Sequence, residues 1–296
     1  MPRRVVIVGS CVVDRMSHVD RFPKPGESRF SRNVGPLVGG KGFNQAVAAH
    51  TTGADVLFVG CVGQDADGDR FQEFLVAIGK ATHGIMRSNN SGTGQATVWV
   101  DSEGQNMICI DPGANLDLDP EWVSAFLHDE PLVLTQFETP DECTEICAGE
   151  RLILNPAPFR THPELLLEKA WLVTPNETEA REIARRPASA TPQDLAEAIR
   201  DLGPPNVIVT LGAAGCFALT PTTSRTFQTP QVKALDCTGA GDVFNGVLAG
   251  LVAQDHTLEE TIPWASAAAA LSTTRQGAAP SVPSWDEVEA LVHATN

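Results

Sequence analysis

The sequence predicts an α/β protein, in which a mostly parallel sheet is covered by helices on both faces and a second, smaller β-sheet stands apart. Three observations carry this. Short apolar runs alternate with longer stretches of helical period, two segments break that rhythm with strand-like alternation, and 296 residues suffice for one large domain with a small appendage.

The first strand is the Val-Val-Ile-Val run at 5–8. Runs at 56–59, 132–134, 152–154, 171–173, 207–210 and 216–219 also have strand length, and their unbroken apolar character marks strands buried on both faces. Helical periodicity is expected over 42–52, 68–78, 177–185, 192–202, 241–253 and 258–274, the last with small residues at 265–270 suited to close packing. Residues 187–192 and 203–205, rich in Pro and Gly, mark loops.

Residues 11–36 and 92–113 are the segments that break the alternation. The second alternates from 94 to 110 around Asp101-Ser102-Glu103-Gly104, as a hairpin does. Both are expected in one small sheet, either a lid that excludes water from a site at the strand ends of the body or an ordinary surface hairpin. The expected division is therefore 1–10, 37–91 and 114–296 for the α/β body and 11–36 with 92–113 for the small sheet.

Lys and Arg number 21 against 37 Asp and Glu, a formal net charge of −16. That balance argues against nucleic acid or an anionic membrane as the main partner. No apolar run has the length of a signal sequence core or a membrane span, so a cytoplasmic protein is expected. The seven cysteines are odd in number and scattered, which implies a reducing compartment. Cys143 and Cys147 have helical spacing but no second Cys or His pair beside them to complete a zinc site, and read as packing residues.

The richest stretch is 236–250, Asp-Cys-Thr-Gly-Ala-Gly-Asp-Val-Phe-Asn-Gly-Val-Leu-Ala-Gly. Gly239, Ala240 and Gly241 allow a sharp backbone turn at a helix start, where free N–H groups and the helix dipole favour an anion. Asp242 at the rim of that cradle is either a base for phosphoryl transfer or an ordinary first-turn acid. Gly35 with Gly39-Gly40-Lys41-Gly42 nearly spells a Walker A loop, but Gly42 lacks the hydroxyl that would hold magnesium, so a P-loop is rejected. Gly40, Lys41 and Asn44 remain as close-approach and donor positions for a polyhydroxylated ligand. Gly9-Ser10-Cys11-Val12 lacks the glycine spacing of a dinucleotide fold, which disfavours an oxidoreductase. Asn155-Pro156-Ala157-Pro158 and Asn176-Glu177-Thr178-Glu179 each follow a strand. Asn176 and Glu179 fit a helix cap, the stronger reading of these residues alone, and also binding to the water shell of magnesium.

These motifs, with Thr210-Leu211-Gly212 and Gly277-Ala278-Ala279-Pro280-Ser281, stand in the order seen in the ribokinase (PfkB) family of sugar kinases. The chain resembles that family from its first strand to about Trp285. The resemblance implies a doubly wound α/β domain with a small β lid, and transfer of the ATP γ-phosphate to a sugar or nucleoside hydroxyl. It makes Asp242 the catalytic base and the amides of Gly239, Ala240 and Gly241 an anion hole. It places Asp14, Gly40, Lys41, Asn44 and Glu138 on the sugar, Asn176 and Glu179 at the magnesium and phosphates, and Thr210, Gly212 and Gly215 in the nucleotide segment. It assigns Asp236, Thr238, Ser272, Arg275, Gly277 and Ser281 to loops that hold a monovalent cation, usually potassium, largely through backbone carbonyls. A homodimer formed through the lid is also implied.

The chain departs from the family pattern at three positions. Val12 stands where an Asn amide commonly meets ribose, which brings in a deoxy sugar. Phe43 replaces a small residue and is expected to narrow or reshape the pocket. Cys237, where Thr is common, is expected as a buried neutral thiol, with a thiol made reactive by the nearby helix start as the alternative. The sequence therefore points to an ATP-dependent, magnesium-requiring kinase of a pentose primary hydroxyl, ribose first, giving ribose 5-phosphate. Deoxyribose, another sugar or a nucleoside are alternative acceptors. A non-catalytic sugar sensor would have no need of Asp242, Asn176 and Glu179.

Overall fold

The computed structural model describes residues 3–103, 105–160 and 164–295, so Gly104 of the expected hairpin turn lies outside the described residues. Along the chain the strands are β1 (Val5–Val8), β2 (Val12–His18), β3 (Arg32–Gly39), β4 (Val56–Gly63), β5 (Ile85–Ser88), β6 (Gly94–Val100), β7 (Asn106–Asp111), β8 (Leu132–Thr135), β9 (Gly149–Leu154), β10 (Ala170–Val173), β11 (Asn206–Thr210), β12 (Cys216–Leu219) and β13 (Ser224–Phe227). The helices are α1 (Lys41–Thr51), α2 (Ala66–Ala77), α3 (Pro120–Ser124), α4 (Asp141–Glu145), α5 (Glu164–Lys169), α6 (Glu177–Ala184), α7 (Pro192–Arg200), α8 (Ala240–Val252), α9 (Leu258–Ser272) and α10 (Trp285–Thr295).

Nine strands form the large sheet in the order β13-β12-β11-β10-β9-β8-β1-β4-β5. Its middle is parallel and doubly covered, as the unbroken apolar runs require. Along β1, Val5 and Ile7 enter the core shared with α1, α8 and α9, while Val6 and Val8 enter the core shared with α6 and α7. At the far edge the sheet is antiparallel: β12 pairs antiparallel with β11 and with β13. The reason is local, because only the turn containing Gly212–Ala214 joins β11 to β12, too short for the crossover a parallel pair needs.

A separate sheet has the order β3-β2-β6-β7, drawn from both segments that broke the sequence rhythm. β2 and β6 pair in parallel at its centre, and β3 continues to Gly39 before the chain enters α1. Its apolar cluster is small, Val12, Met16, Ala96 and Val98. The chain leaves β1 toward β4 and β5 on one side and later builds β8 to β11 on the other. Loops after β1 and β8 therefore diverge, opening the crevice where open α/β sheets bind ligands.

Candidate active site

α8 begins at this crevice. Its N-cap, Gly239, has φ 75°, a left-handed conformation that a side chain would strain, and a Cβ there would lie 3.0 Å from the Cβ of Ala278. Ala240 and Gly241 are already helical, and the Ala240 amide makes a long bond of 3.3 Å to the Cys237 carbonyl. Asp242 follows in the first turn and is buried. Asn44 donates to its Oδ2 at 2.9 Å, and Gln45 donates to its Oδ1 at 3.3 Å.

Both amides come from α1, whose start lies hard against β1. A Cβ on Gly42 would sit 2.5 Å from the Gly9 Cα, so only glycine permits this approach. Glu138, just beyond β8, accepts from the Lys41 amide at 3.2 Å and from the Ser10 hydroxyl. Arg160 holds that segment from behind: its guanidinium donates to the carbonyls of Phe137 at 2.7 Å and Thr139 at 2.8 Å, lies over the Phe137 ring and pairs with Asp141.

A cleft of about 500 Å³ connects these groups to the small sheet, and Val12, Asp14, Gly40, Lys41, Asn44 and Asp242 are among its lining residues. Burial, then the charges of Glu138, Asp236 and Asp242, push the Asp14 carboxyl up to about 6. Burial also raises Asp242, opposed by Lys41, Asn44 and Gln45. Lys41 is held above its usual range chiefly by Asp242. A larger cavity of about 720 Å³ opens at the opposite strand ends, where Arg4 pairs with Asp55, and none of the motif residues lines it.

The remaining predicted residues fall in two groups. Asp236 ties two loops together: its carboxylate accepts from the Thr238 amide at 3.0 Å and the Gly277 amide at 2.9 Å, and its own amide donates to the Thr273 carbonyl at 3.0 Å. Ser272 and Ser281 donate to the nearby carbonyls of Ala269 and Ala278, and Arg275 pairs with Glu287. These three side chains are thus engaged locally, the two hydroxyls as donors and Arg275 as an ion-pair partner. Asn176 and Glu179 form the expected capping box of α6, with bonds of 2.9 and 2.8 Å. Burial raises the Glu179 carboxyl above its usual range. Thr210 ends β11 and bridges to Asn176, while Gly212 and Gly215 bracket the turn into β12.

Two expectations fail. Phe43 does not reshape the pocket; it is fully buried and packs edge-on against Phe58, Phe71 and Phe74, because its position on α1 faces the sheet. Cys237 is exposed rather than buried, since the loop between Asp236 and Gly239 runs along the surface. Ser10, Gln45, Gln136 and Arg160 also belong to this site, although no motif in the sequence singles them out. A signal existed for Gln45: α1 is buried on nearly every face, and a polar residue in such a helix needs a partner.

This arrangement has close counterparts. The model of the pfkB family of carbohydrate kinases matches residues 2–285. A ribokinase of Haemophilus influenzae is 36% identical over 307 residues, covering 99% of this chain and all of the relative. The crystal structure of a Thermotoga maritima ribokinase superposes with a TM-score of 0.91 at 37% identity, covering 98% of this chain and 99% of that one. The Arabidopsis thaliana ribokinase, solved with ribose and ATP, gives a TM-score of 0.85 at 31% identity, with 99% of each chain covered. With the fold, the order of its motifs and the match to the family model all in agreement, the chain belongs to the pfkB family of carbohydrate kinases.

Proposed function

We propose that this chain is an ATP-dependent ribokinase that phosphorylates the primary hydroxyl of ribose, with Asp242 as the base. The observation that carries the reading is a buried carboxylate, fixed by two amide donors at the start of α8, opening on a cleft that also holds Asp14 and Lys41. Asp242 accepts the proton of the attacking hydroxyl. Its burial makes it more basic than a surface carboxylate, while Lys41, Asn44 and Gln45 favour its charged form. The first-turn amides of α8 face the charge that develops during in-line transfer. Asp14, Gly40, Lys41, Asn44 and Glu138 orient the sugar, and the segment with Thr210, Gly212 and Gly215 receives the nucleotide.

Lys41 stands among the carboxylates of Asp242, Glu138 and Glu179, so a triphosphate needs accompanying cations here. Among the described residues no cluster of three or more His, Cys, Asp or Glu side chains is set to ligate a metal directly, which fits magnesium held through water by Asn176 and Glu179. Magnesium would screen the phosphate charges. The loops joined by Asp236 fit a monovalent cation held by backbone oxygens, with potassium the expected occupant. Turnover should rise when potassium replaces a bulky organic cation at equal ionic strength, and unchanged turnover would remove this ion.

Val12 lines the cleft as an apolar side chain and favours 2-deoxyribose as the second reading. Measuring ATP consumption with ribose, 2-deoxyribose, ketohexoses and nucleosides tests both: a preference for nucleosides or ketohexoses would overturn them. Exposed Met107, Ile108 and Ile110 on β7 support a homodimer through the small sheet, which mass in solution tests. Among the described residues no helix is long and apolar enough to cross a membrane, and a cytoplasmic location belongs to this proposal.

A further inference from the structure

Gln45 does not line the cleft and is fully buried, yet its side chain has a partner at each end. Its Nε2 donates to Asp242 Oδ1 at 3.3 Å and to Asn155 Oδ1 at 3.0 Å, and its Oε1 accepts from Gln136 Nε2 at 2.5 Å. The path of bonds continues. Asn155 Nδ2 donates to the Thr174 carbonyl at 3.0 Å, the Thr174 hydroxyl donates to Asn245 Oδ1 at 2.5 Å, and Asn245 Nδ2 donates to the Gly241 carbonyl at 2.8 Å. It therefore leaves α8 at Asp242, touches residues just past β8, β9 and β10, and returns to α8 one residue earlier.

All these side chains are buried. Packing alone would be served by apolar residues without desolvating so many polar groups, and the buried bonds favour one particular geometry here although Gln136 Oε1 and Asn44 Oδ1 have no hydrogen-bond partner among the described residues. The geometry fixed here is that of a carboxylate. The terminal torsion of an aspartate is broad, so one donor leaves the plane of the group free to rock. Two donors, one on each oxygen, remove that freedom: Asn44 holds Oδ2 and Gln45 holds Oδ1.

We infer that Gln45 is a positioning residue for phosphoryl transfer, anchored by Gln136 and Asn155 so that its amide sets the plane of the Asp242 carboxylate. The inference rests on the reading of Asp242 as the base. Its consequence is electrostatic as well as geometric, because the Gln45 bond is one of the influences that oppose the upward push of burial on Asp242. Asn44 differs in kind, since it lines the cleft and so can also meet substrate.

The test compares Gln45→Met with wild type using the best sugar. Methionine keeps the volume but donates no hydrogen bond. The expected result is a kcat lower by about tenfold, with little change in KM for ATP or sugar. The acidic limb of the kcat profile should move to higher pH, because losing a donor to the charged form raises the pH at which the base becomes ionised. A lower melting temperature with kcat per folded molecule and acidic limb both unchanged would overturn the inference, leaving Gln45 a packing residue.

If Gln45→Met does not fold, Gln45→Glu serves. It keeps the shape and the acceptor for Gln136 and replaces the NH2 group that donates to both Asp242 and Asn155. It should shift the same limb upward and lower kcat, and an unshifted limb is again the overturning result. Asp242→Asn separates the two levels: retained turnover there sinks the base assignment itself, whereas lost turnover there with normal Gln45 variants sinks only this inference.

Discussion

The two walls of the cleft are built differently. On the body side, Asp242, Asn44 and Glu138 are held by hydrogen bonds that run into a buried frame, and α1 and β1 meet where only glycine fits. On the small-sheet side, Asp14 stands among apolar neighbours, Val12, Met16, Ala96 and Val98, whose cluster has little depth behind it. The first wall has few permitted rearrangements, and the second can exchange one side chain without disturbing a network. Chemistry should therefore be sensitive to the body wall and sugar choice to the sheet wall.

The largest expected effect breaks the body wall at its centre. Asp242→Asn should lower kcat by roughly two or more orders of magnitude, since a carboxamide cannot take the proton. The change is nearly isosteric, and at most one of the two bonds is lost, because the Asn44 amide can turn to present its unpartnered Oδ1 to the new NH2. Melting temperature measured beside kcat separates this structural loss from the chemical one. Near wild-type turnover would end the role of Asp242 as base.

Asp14 tests whether the sheet wall also carries a charge that matters. Its carboxyl is pushed up to about 6 by burial and three neighbouring carboxylates, so the KM for sugar should rise as pH falls through that value. The stability effect has the opposite sense. The unfolded chain ionises Asp14 near its ordinary value of about 4 and the folded protein only above about 6, so its charge destabilises the fold fully above that range and not at all below about 4. Asp14→Asn should thus raise the melting temperature at neutral pH, lose that gain near pH 4, and raise the KM for sugar by more than about tenfold through loss of a charged acceptor. A melting temperature unchanged at neutral pH would show that Asp14 bears no such strain.

Arg160 lies behind the body wall and should act through Glu138. Arg160→Ala frees the carbonyls of Phe137 and Thr139 on both sides of that residue, so the KM for sugar should rise by about tenfold while kcat and the KM for ATP change less. An equal fall in kcat with no change in sugar KM would mean that Arg160 supports the fold alone.

These residues also mark how far the sequence could be read. The glycine-rich motifs were legible because a left-handed cap at Gly239 and the contact of Gly42 with Gly9 exclude nearly every other residue, so the backbone geometry is written in the composition. The central strands were legible from their unbroken apolar runs. β5 and β13 were not, because Ile85–Ser88 and Ser224–Phe227 are short edge strands with half of their residues or more outside the core. The short helices α3, α4 and α5 span too few turns to display a period. Gln45, Gln136 and Arg160 escaped for a different reason: amides and guanidinium groups acquire a role only through partners from distant segments, and one sequence does not show which segments meet. Phe43 shows the same limit, since its place beside the glycine-rich segment suggested the pocket while its side chain faces the sheet.

The smallest expected effect sharpens the comparison on the sheet wall. Val12 is two residues before Asp14 on β2, and both side chains line the cleft, so an amide introduced there has a path to a sugar hydroxyl. Val12→Asn should improve kcat/KM for ribose relative to 2-deoxyribose by about 1 kcal/mol, close to fivefold, the scale of one neutral hydrogen bond. Turnover with the better sugar should stay near wild type, because Val12 belongs to the shallow cluster of the small sheet and not to the frame behind Asp242. The decisive measurement is kcat/KM for both sugars in both proteins. A fall in kcat with no change in sugar preference would reverse the assignment of the two walls, making the small sheet part of the chemistry and leaving sugar choice to Asp14 and the body.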